Sequence, residues 1–436
     1  MPTSMRCGSI VALVFALAVH APAVVIANGR PPHTNAVFFR PGDSNTLYAR
    51  STFGLLASSD DGCTFHWICE QNIGYGGTFD PNYAFAPDGT IYATTYMGLR
   101  VSRDGGCTFT TATEDLPAGP GRIAGLYVDA LTLGPAAEVW VGSADNMAAN
   151  GIYRSTDAGR TFEMRGSVPP AIWWETILVA PTDANRIYAT GYELVASSAV
   201  AHFYTSPDAG ANWTEVPLTG VVLAASPVTE VVGVDPADAN IMYFVSIGSA
   251  EAGAGDRLYR SNDGGATLSE VLSTTVTIED VVVRGTTVMV ATKAGMFSSA
   301  DRGLTFQPAA QSLLFGCFAE RDDGRYYACG ANWDPDNKAV ARSTDATTWE
   351  KLLTFAELAG PLECPAGTPE AEMCAPMWPA LETQFSVTGP TCGVTPDISE
   401  PPPKPRGCCD TGGSPSGAAS LGLLIALSLR RRRRRS

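Results

Sequence analysis

Three acidic residues occupy matching places along the chain and are the first candidates for chemistry. Glu175 precedes Thr-Ile-Leu-Val, Glu230 precedes Val-Val-Gly-Val, and Asp280 precedes Val-Val-Val. Two facing carboxylates about 5–10 Å apart in an open groove are what glycoside hydrolysis requires. Acids gathered at one opening would also draw a cation or a basic ligand. Trp173-Trp174 adjoins Glu175, while Tyr75, Tyr96, Tyr192 and Trp333 fall on segments read as loops at the same end of the fold. Aromatic faces beside acids stack on sugars or seat a peptide. The candidate ligand-binding set is thus Trp173, Trp174, Glu175, Glu230, Asp280, Tyr75 and Trp333. Plainer readings are favoured for both groups: a repeated position that tolerates acids where a strand begins, and rings that pack between neighbouring sheets.

Other chemistries lack their residues. The chain has no G-x-S-x-G, no P-loop and no G-x-G-x-x-G, and only 4 histidines. No C-x-x-C occurs, so neither a metal nor a cofactor is expected. Six of the 29 basic residues form the run Arg430–Arg435, and Arg6 lies near the start. Setting those seven aside leaves 22 basic against 44 acidic residues, a body near −22 that repels phosphate backbones. Nucleic acid is excluded as a partner.

The elements that must position these residues are revealed by a repeat. An eight-residue phrase, Ser-x-Asp-x-Gly-x-Thr-Phe, runs from Ser58, Ser102 and Ser155, then with a changed ending from Ser206 and Ser261, and again from Ser299. A seventh copy, Ser343-Thr-Asp345-Ala-Thr-Thr348-Trp349, has lost one residue and its glycine. The aspartates (Asp60, Asp104, Asp157, Asp208, Asp263, Asp301 and Asp345) follow one another at 44, 53, 51, 55, 38 and 44 residues. Asp and Ser/Thr side chains that bond the turn backbone, with Gly at positive φ, make a hairpin turn. A second phrase precedes several boxes, as in Pro181-Thr-Asp183-Ala-Asn185-Arg-Ile187-Tyr188-Ala189, and supplies another strand–turn–strand signal. Each unit then reads as four strands, in the fourth unit Ile177–Val179, Ile187–Gly191, Phe203–Ser206 and Trp213–Val216. Four short strands every 38–55 residues describe a propeller blade. The expected fold is all-β: one propeller of about seven four-stranded blades over 35–353, or eight if the tail adds one, with a short disulfide-containing C-terminal extension.

The repeated phrase resembles the Asp-box, or BNR repeat, of sialidases, sortilin-type receptors, xyloglucanases and photosystem assembly-factor propellers. The sialidase branch implies an arginine cluster, a Tyr–Glu pair and an Asp acid. Here Arg100, Arg154, Arg260 and Arg342 recur at one strand position before the boxes, which marks blade surface and not a unique site. Gly121-Arg122-Ile123-Ala124 is an inexact echo of the family's Arg-Ile-Pro motif.

Residues 1–27 read as an export signal, with Arg6, the apolar Ile10–Val19 and cleavage after Ala27, Ala21 and Ala23 being alternatives. Eight cysteines lie between the leader and residue 394 (Cys63, Cys69, Cys107, Cys317, Cys329, Cys364, Cys374 and Cys392), an even number that suits an oxidising route. Cys317 and Cys329 flank Asp322-Asp323-Gly324 and should face one another across a hairpin; Cys63–Cys69 and Cys364–Cys374 are the expected local pairs. Residues 354–394 read as a cysteine-containing extension packed on the ring, and 395–407 as a Pro-rich linker. Residues 408–436 join Cys408-Cys409, the apolar Ala418–Leu429 and six arginines. Twelve apolar residues are short for a permanent span, so this is a transient anchor. The order resembles the MYXO-CTERM sorting signal of myxobacterial surface proteins. That resemblance implies a signal peptidase and a C-terminal sorting protease as partners, processing at Cys408 or Cys409, and a destination at the outer-membrane surface or beyond.

The functional expectation is a non-catalytic extracellular binding or scaffold propeller that meets a protein or glycan through the loops of one face. The alternative is a glycoside hydrolase, sialidase- or xyloglucanase-like, that uses the carboxylates at the channel mouth.

Overall fold

In a computed structural model, seven sheets of four antiparallel strands stand around a central axis as a β-propeller. The structure describes residues 30–392 except 197, 226, 249–254 and 311–312. The leader, the Pro-rich linker and the tail with Cys408 and Cys409 lie outside the described residues.

Blade 1 shows how sequence becomes sheet. Its strands, named A to D from the axis outward, are Thr34–Phe39, Leu47–Ser51, Gly54–Ser58 and His66–Ile68. Blades 2 to 7 repeat the order and begin at Tyr83, Val128, Trp173, Val228, Ile278 and Cys317. Strand B is covered by a neighbouring blade on each face, so it reads as an unbroken buried run, such as Leu47–Ser51, Ile91–Thr95 and Val139–Ser143. Aromatics fill the seams: Trp140, Trp174 and Tyr204 lie between blades 3 and 4, and Phe203 meets Phe244 at 5.4 Å between blades 4 and 5. In blade 4 the inner three strands run longer than expected, with A spanning Trp173–Ala180, B spanning Asp183–Val195 and C spanning Ser198–Ser206, while D is shorter, at Thr214–Glu215.

The recurring turn joins strands C and D on the lower face. In blade 4 the Ser206 hydroxyl donates to Asp208 Oδ1 at 2.9 Å and accepts the Gly210 N–H at 2.8 Å. Asp208 Oδ1 then accepts the Asn212 N–H at 2.8 Å. The residue after the Asp is left-handed even where it is not glycine, as at Ala158 (φ 58°), Ala209 (φ 54°) and Arg302 (φ 57°). Those local bonds offset the strain. The seventh turn, one residue shorter, sends the N–H groups of Thr347 and Thr348 to Asp345, both at 2.8 Å. Ser206→Ala should therefore lower unfolding free energy by about 1–2 kcal/mol, because it leaves the buried Gly210 N–H without its acceptor. A urea midpoint unchanged from wild type would contradict this.

Among the described residues every blade is a contiguous stretch of chain, and the ring closes without an exchanged strand. Blade 7 meets blade 1 through Asp61, whose carboxylate receives Arg321 at 2.7 Å, Arg342 at 2.7 Å and Arg325 at 3.0 Å. Residues 354–392 then strap the outside of blade 1. Gly360–Pro361 adds a fifth, parallel strand beside His66–Trp67, and Trp378 and Phe385 cover Trp67 and Phe53. Disulfides Cys63–Cys392, Cys69–Cys374 and Cys107–Cys364 fasten the strap. The expected pairs Cys63–Cys69 and Cys364–Cys374 are thereby corrected. Cys63 and Cys107 hold the same place in successive turns and point outward, so each needs a partner from outside the ring. Cys317 and Cys329 are cross-strand partners and are bonded.

Candidate functional site

Strand A begins on the upper face, which also carries the B–C hairpins and the links between blades; the A–B and C–D turns form the lower face. At the start of each A strand the backbone must bend toward the axis, and several blades do so with a β-bulge. Register slips at Asn35 in blade 1, Glu175 in blade 4 and Glu279 in blade 6. The extra residue aims a polar side chain at the axis. A cavity of about 300 Å³ results, lined by Glu175, Glu230, Glu279 and Asp280 from blades 4 to 6. Across it stand Asn35, Arg50 and Asn82 of blades 1 and 2.

The structure thus brings Glu175, Glu230 and Asp280 to one cavity, but not as equivalents. Asp280 follows the bulge, and its Oδ2 accepts the Phe318 N–H of blade 7 at 2.8 Å. Thr176 of blade 4 does the same for Val231 of blade 5, at 3.2 Å. Asp280 is therefore a clasp between blades. Glu279 is the positional match of Glu175, and sequence comparison missed it because a bulge shifts the count by one. Glu175 and Glu230 are buried, at 4 % and 8 % exposure. Burial pushes the Glu279 carboxyl up to about 8, reinforced by Asp280 and Asp256 and opposed by Lys293 at 3.5 Å. Opposite, Arg50 is buried and donates to Asn35 Oδ1 at 2.7 Å and to the Pro81 carbonyl at 3.1 Å.

What this arrangement can do is limited by its geometry. The acids of blades 4 to 6 face Arg50, Asn35 and Asn82 across the cavity, so charges of both signs line it. Among the described residues, three ligand-type side chains converge within 4.8 Å only at Cys69, Glu370 and Cys374, where the two sulfurs are bonded to each other.

The aromatic candidates divide. Trp174 is wholly buried against Tyr204 at the seam of blades 3 and 4, so the expectation that it meets a ligand is corrected: its side chain belongs to the core. Alternation along the strand turns Trp173 the other way, onto Tyr192 at 5.6 Å. Tyr75 packs edge-on against Phe79, with its hydroxyl buried. Trp333 remains 54 % exposed.

Exposed apolar side chains are unevenly shared between the two faces. Of the twelve large ones exposed among the described residues, nine stand on upper-face hairpins and links. They are Tyr96 and Met97 in blade 2, Met147 in blade 3, Val195 and Val200 in blade 4, Val222 and Leu223 before blade 5, Leu314 before blade 7, and Trp333. Their loops are braced from beneath. Asp145 accepts the N–H groups of Met147 at 2.7 Å and Tyr127 at 3.0 Å. Asp336, itself buried, ties the Trp333 loop to the Leu314 link by accepting Ala331 N–H at 2.8 Å and Leu314 N–H at 3.2 Å.

No family model and no curated protein matches the chain. Solved structures do. The extracellular domain of a one-component system from B. thetaiotaomicron is 13% identical, with a TM-score of 0.50 over 71% of this chain and 38% of that one. A GH74 xyloglucanase from Xanthomonas campestris is 16% identical, with a TM-score of 0.49 over 77% of this chain and 61% of that one. YCF48 from Cyanidioschyzon merolae is 16% identical, with a TM-score of 0.45 over 69% and 93%. The chain spans about three-fifths of the GH74 enzymes' length. At such identities the likeness is one of fold. It is a propeller fold, and the four disulfides are chemistry of an oxidising, export compartment.

Proposed function

We propose that the chain is a non-catalytic, surface-displayed binding propeller that docks a protein partner on its upper face. The observation that carries this is the concentration of exposed apolar side chains there, on loops braced by Asp145 and Asp336. Exposed apolar side chains gathered on one face mark an interaction surface when they lie together. Pre-organised loops lower the entropic cost of docking. Methionines and aliphatic residues outnumber the exposed rings, Tyr96 and Trp333, and adaptable apolar groups suit a protein surface better than a sugar ring. The resemblance of the turns to Asp-boxes, together with the Cys–apolar–Arg tail, supports a receptor-like role at the cell surface of myxobacterial type.

Site-specific photo-crosslinking in the cells that make the protein tests the reading. A crosslinker in place of Met97 or Trp333 should capture one defined protein, and one in place of Leu304 on the lower face should not. Titration of that protein should then weaken at least about tenfold for a Met97→Ser/Trp333→Ser chain. Capture only from position 304 would overturn the docking face. Release of reducing ends from soluble β-glucans, abolished by Glu175→Gln, would overturn the non-catalytic reading in favour of hydrolysis.

A further inference from the structure

We infer that the chain reaches its native disulfides only by reshuffling, and is therefore a substrate of a thiol–disulfide isomerase in its export compartment. Three of its four bonds join residues 329, 305 and 257 positions apart. In a chain threaded from its N-terminus, Cys63, Cys69 and Cys107 reach the oxidising side long before Cys364, Cys374 or Cys392. The partner nearest to hand for Cys63 is then Cys69, since a short loop costs least entropy to close. Blade 1 does not keep them apart by folding early, because a single blade buries neither face without its neighbours. Here one neighbour is blade 7, and the outer edge is sealed by the strap that arrives last.

The wrong pair is incompatible with the fold. Cys63 sits in the turn before strand D and Cys69 directly after that strand, with His66–Ile68 between them. The stretch from Phe65 through strand His66–Ile68 alone advances about 10 Å, whereas a disulfide spans less than about 7 Å between Cα atoms. A Cys63–Cys69 bond therefore prevents strand D from forming, and with it the burial of Phe65 and Trp67. Cys364 and Cys374 likewise belong to different partners, Cys107 of the blade 2 turn and Cys69 after strand D.

The exchange is redox-neutral. A catalyst thiolate attacks one sulfur of the Cys63–Cys69 bond, that bond breaks, and a mixed disulfide forms as the other cysteine leaves as thiolate. The freed thiolate attacks the next non-native disulfide, and the last thiolate released in the chain of exchanges expels the catalyst from its mixed disulfide. Four bonds at the start become four at the end, and the catalyst thiolate is regenerated.

The test uses the full chain, reduced and unfolded, then diluted into glutathione buffer with or without a purified bacterial disulfide isomerase. Samples quenched in acid are mapped with chymotrypsin, which cuts at Phe65 and Trp67 between the two cysteines. Cys63–Cys69-linked peptides should dominate early, and the isomerase should speed the appearance of the Cys63–Cys392 link by about tenfold or more. A Cys63→Ala/Cys392→Ala chain, freed of that wrong pair, should lose most of the acceleration in forming Cys69–Cys374. Absence of Cys63–Cys69 links at every quench time, or native links forming as fast without the catalyst, would overturn the inference. Both readouts come from the unsubstituted chain, so they decide even where the double variant fails to fold.

Discussion

A chain carrying Cys63→Ala, Cys69→Ala and Cys107→Ala should lose on the order of 5 kcal/mol of unfolding free energy. Any one strap bond closes a loop of 257 residues or more, and in the chain-entropy view a closure of that length stabilises by about 5 kcal/mol. The three do not add. Once one bond holds the strap in place, the others close much shorter loops, so a single substitution should cost roughly 3 kcal/mol. What remains without them is the packing of Trp378 and Phe385 on Trp67 and Phe53, and the Arg321–Asp61 clasp. Guanidinium unfolding of the triple variant beside wild type measures the loss. Coincident midpoints would mean that packing alone closes the ring.

Glu370→Gln should have the opposite sign, and only above acid pH. Glu370 belongs to the strap and is wholly buried at its inner side, where Asn72 donates to it at 2.8 Å while also holding the Gly106 carbonyl of the blade 2 turn. Burial raises its carboxyl to about 7, and the Asn72 hydrogen bond opposes that rise. Because the folded state holds the proton more tightly than the unfolded chain does, its stabilising effect is complete below about 4.5 and is lost as pH rises through about 7. The span corresponds to about 3 kcal/mol. Gln keeps the shape and the acceptor without a charge, so the variant should match wild type near pH 4.5 and exceed it by about 2–3 kcal/mol at pH 8. Urea curves that stay parallel at both pH values would reject this. The Asp61 clasp works at the other end of the scale. Its three arginines hold that carboxylate below its ordinary value against the opposing pull of burial, so its contribution is lost as pH falls below about 4.

How much of this was legible in the sequence follows from how local each feature is. The turn chemistry of Ser206, Asp208 and Gly210 closes within five residues, so seven copies announce seven blades. Cys317 and Cys329 pair across one hairpin and could be matched by counting. Cys63 and Cys392 could not, because their meeting depends on where the ring closes and how the strap returns along strand D. One local signal was available: cysteines at the same place in two successive turns face outward together and cannot bond each other. At the axis, the acids of blades 4 to 6 were visible, but the bulges were not. Counting from the hydrophobic run selected Asp280, which ties blade 6 to blade 7, and passed over Glu279. Trp173 and Trp174 alternate as any strand pair does, yet nothing in the letters says which of them faces the core.

Covalent footprinting of the protein in the cells that make it, compared with the purified chain, tests most directly whether the upper face is a docking surface. Labelling at Met97, Met147, Leu314 and Trp333 should fall in the cells, while Leu304 in the lower-face turn and Met164 on the outer strand of blade 3 label equally in both. Equal labelling across the upper face, or protection confined to Leu304 and Met164, would contradict the account.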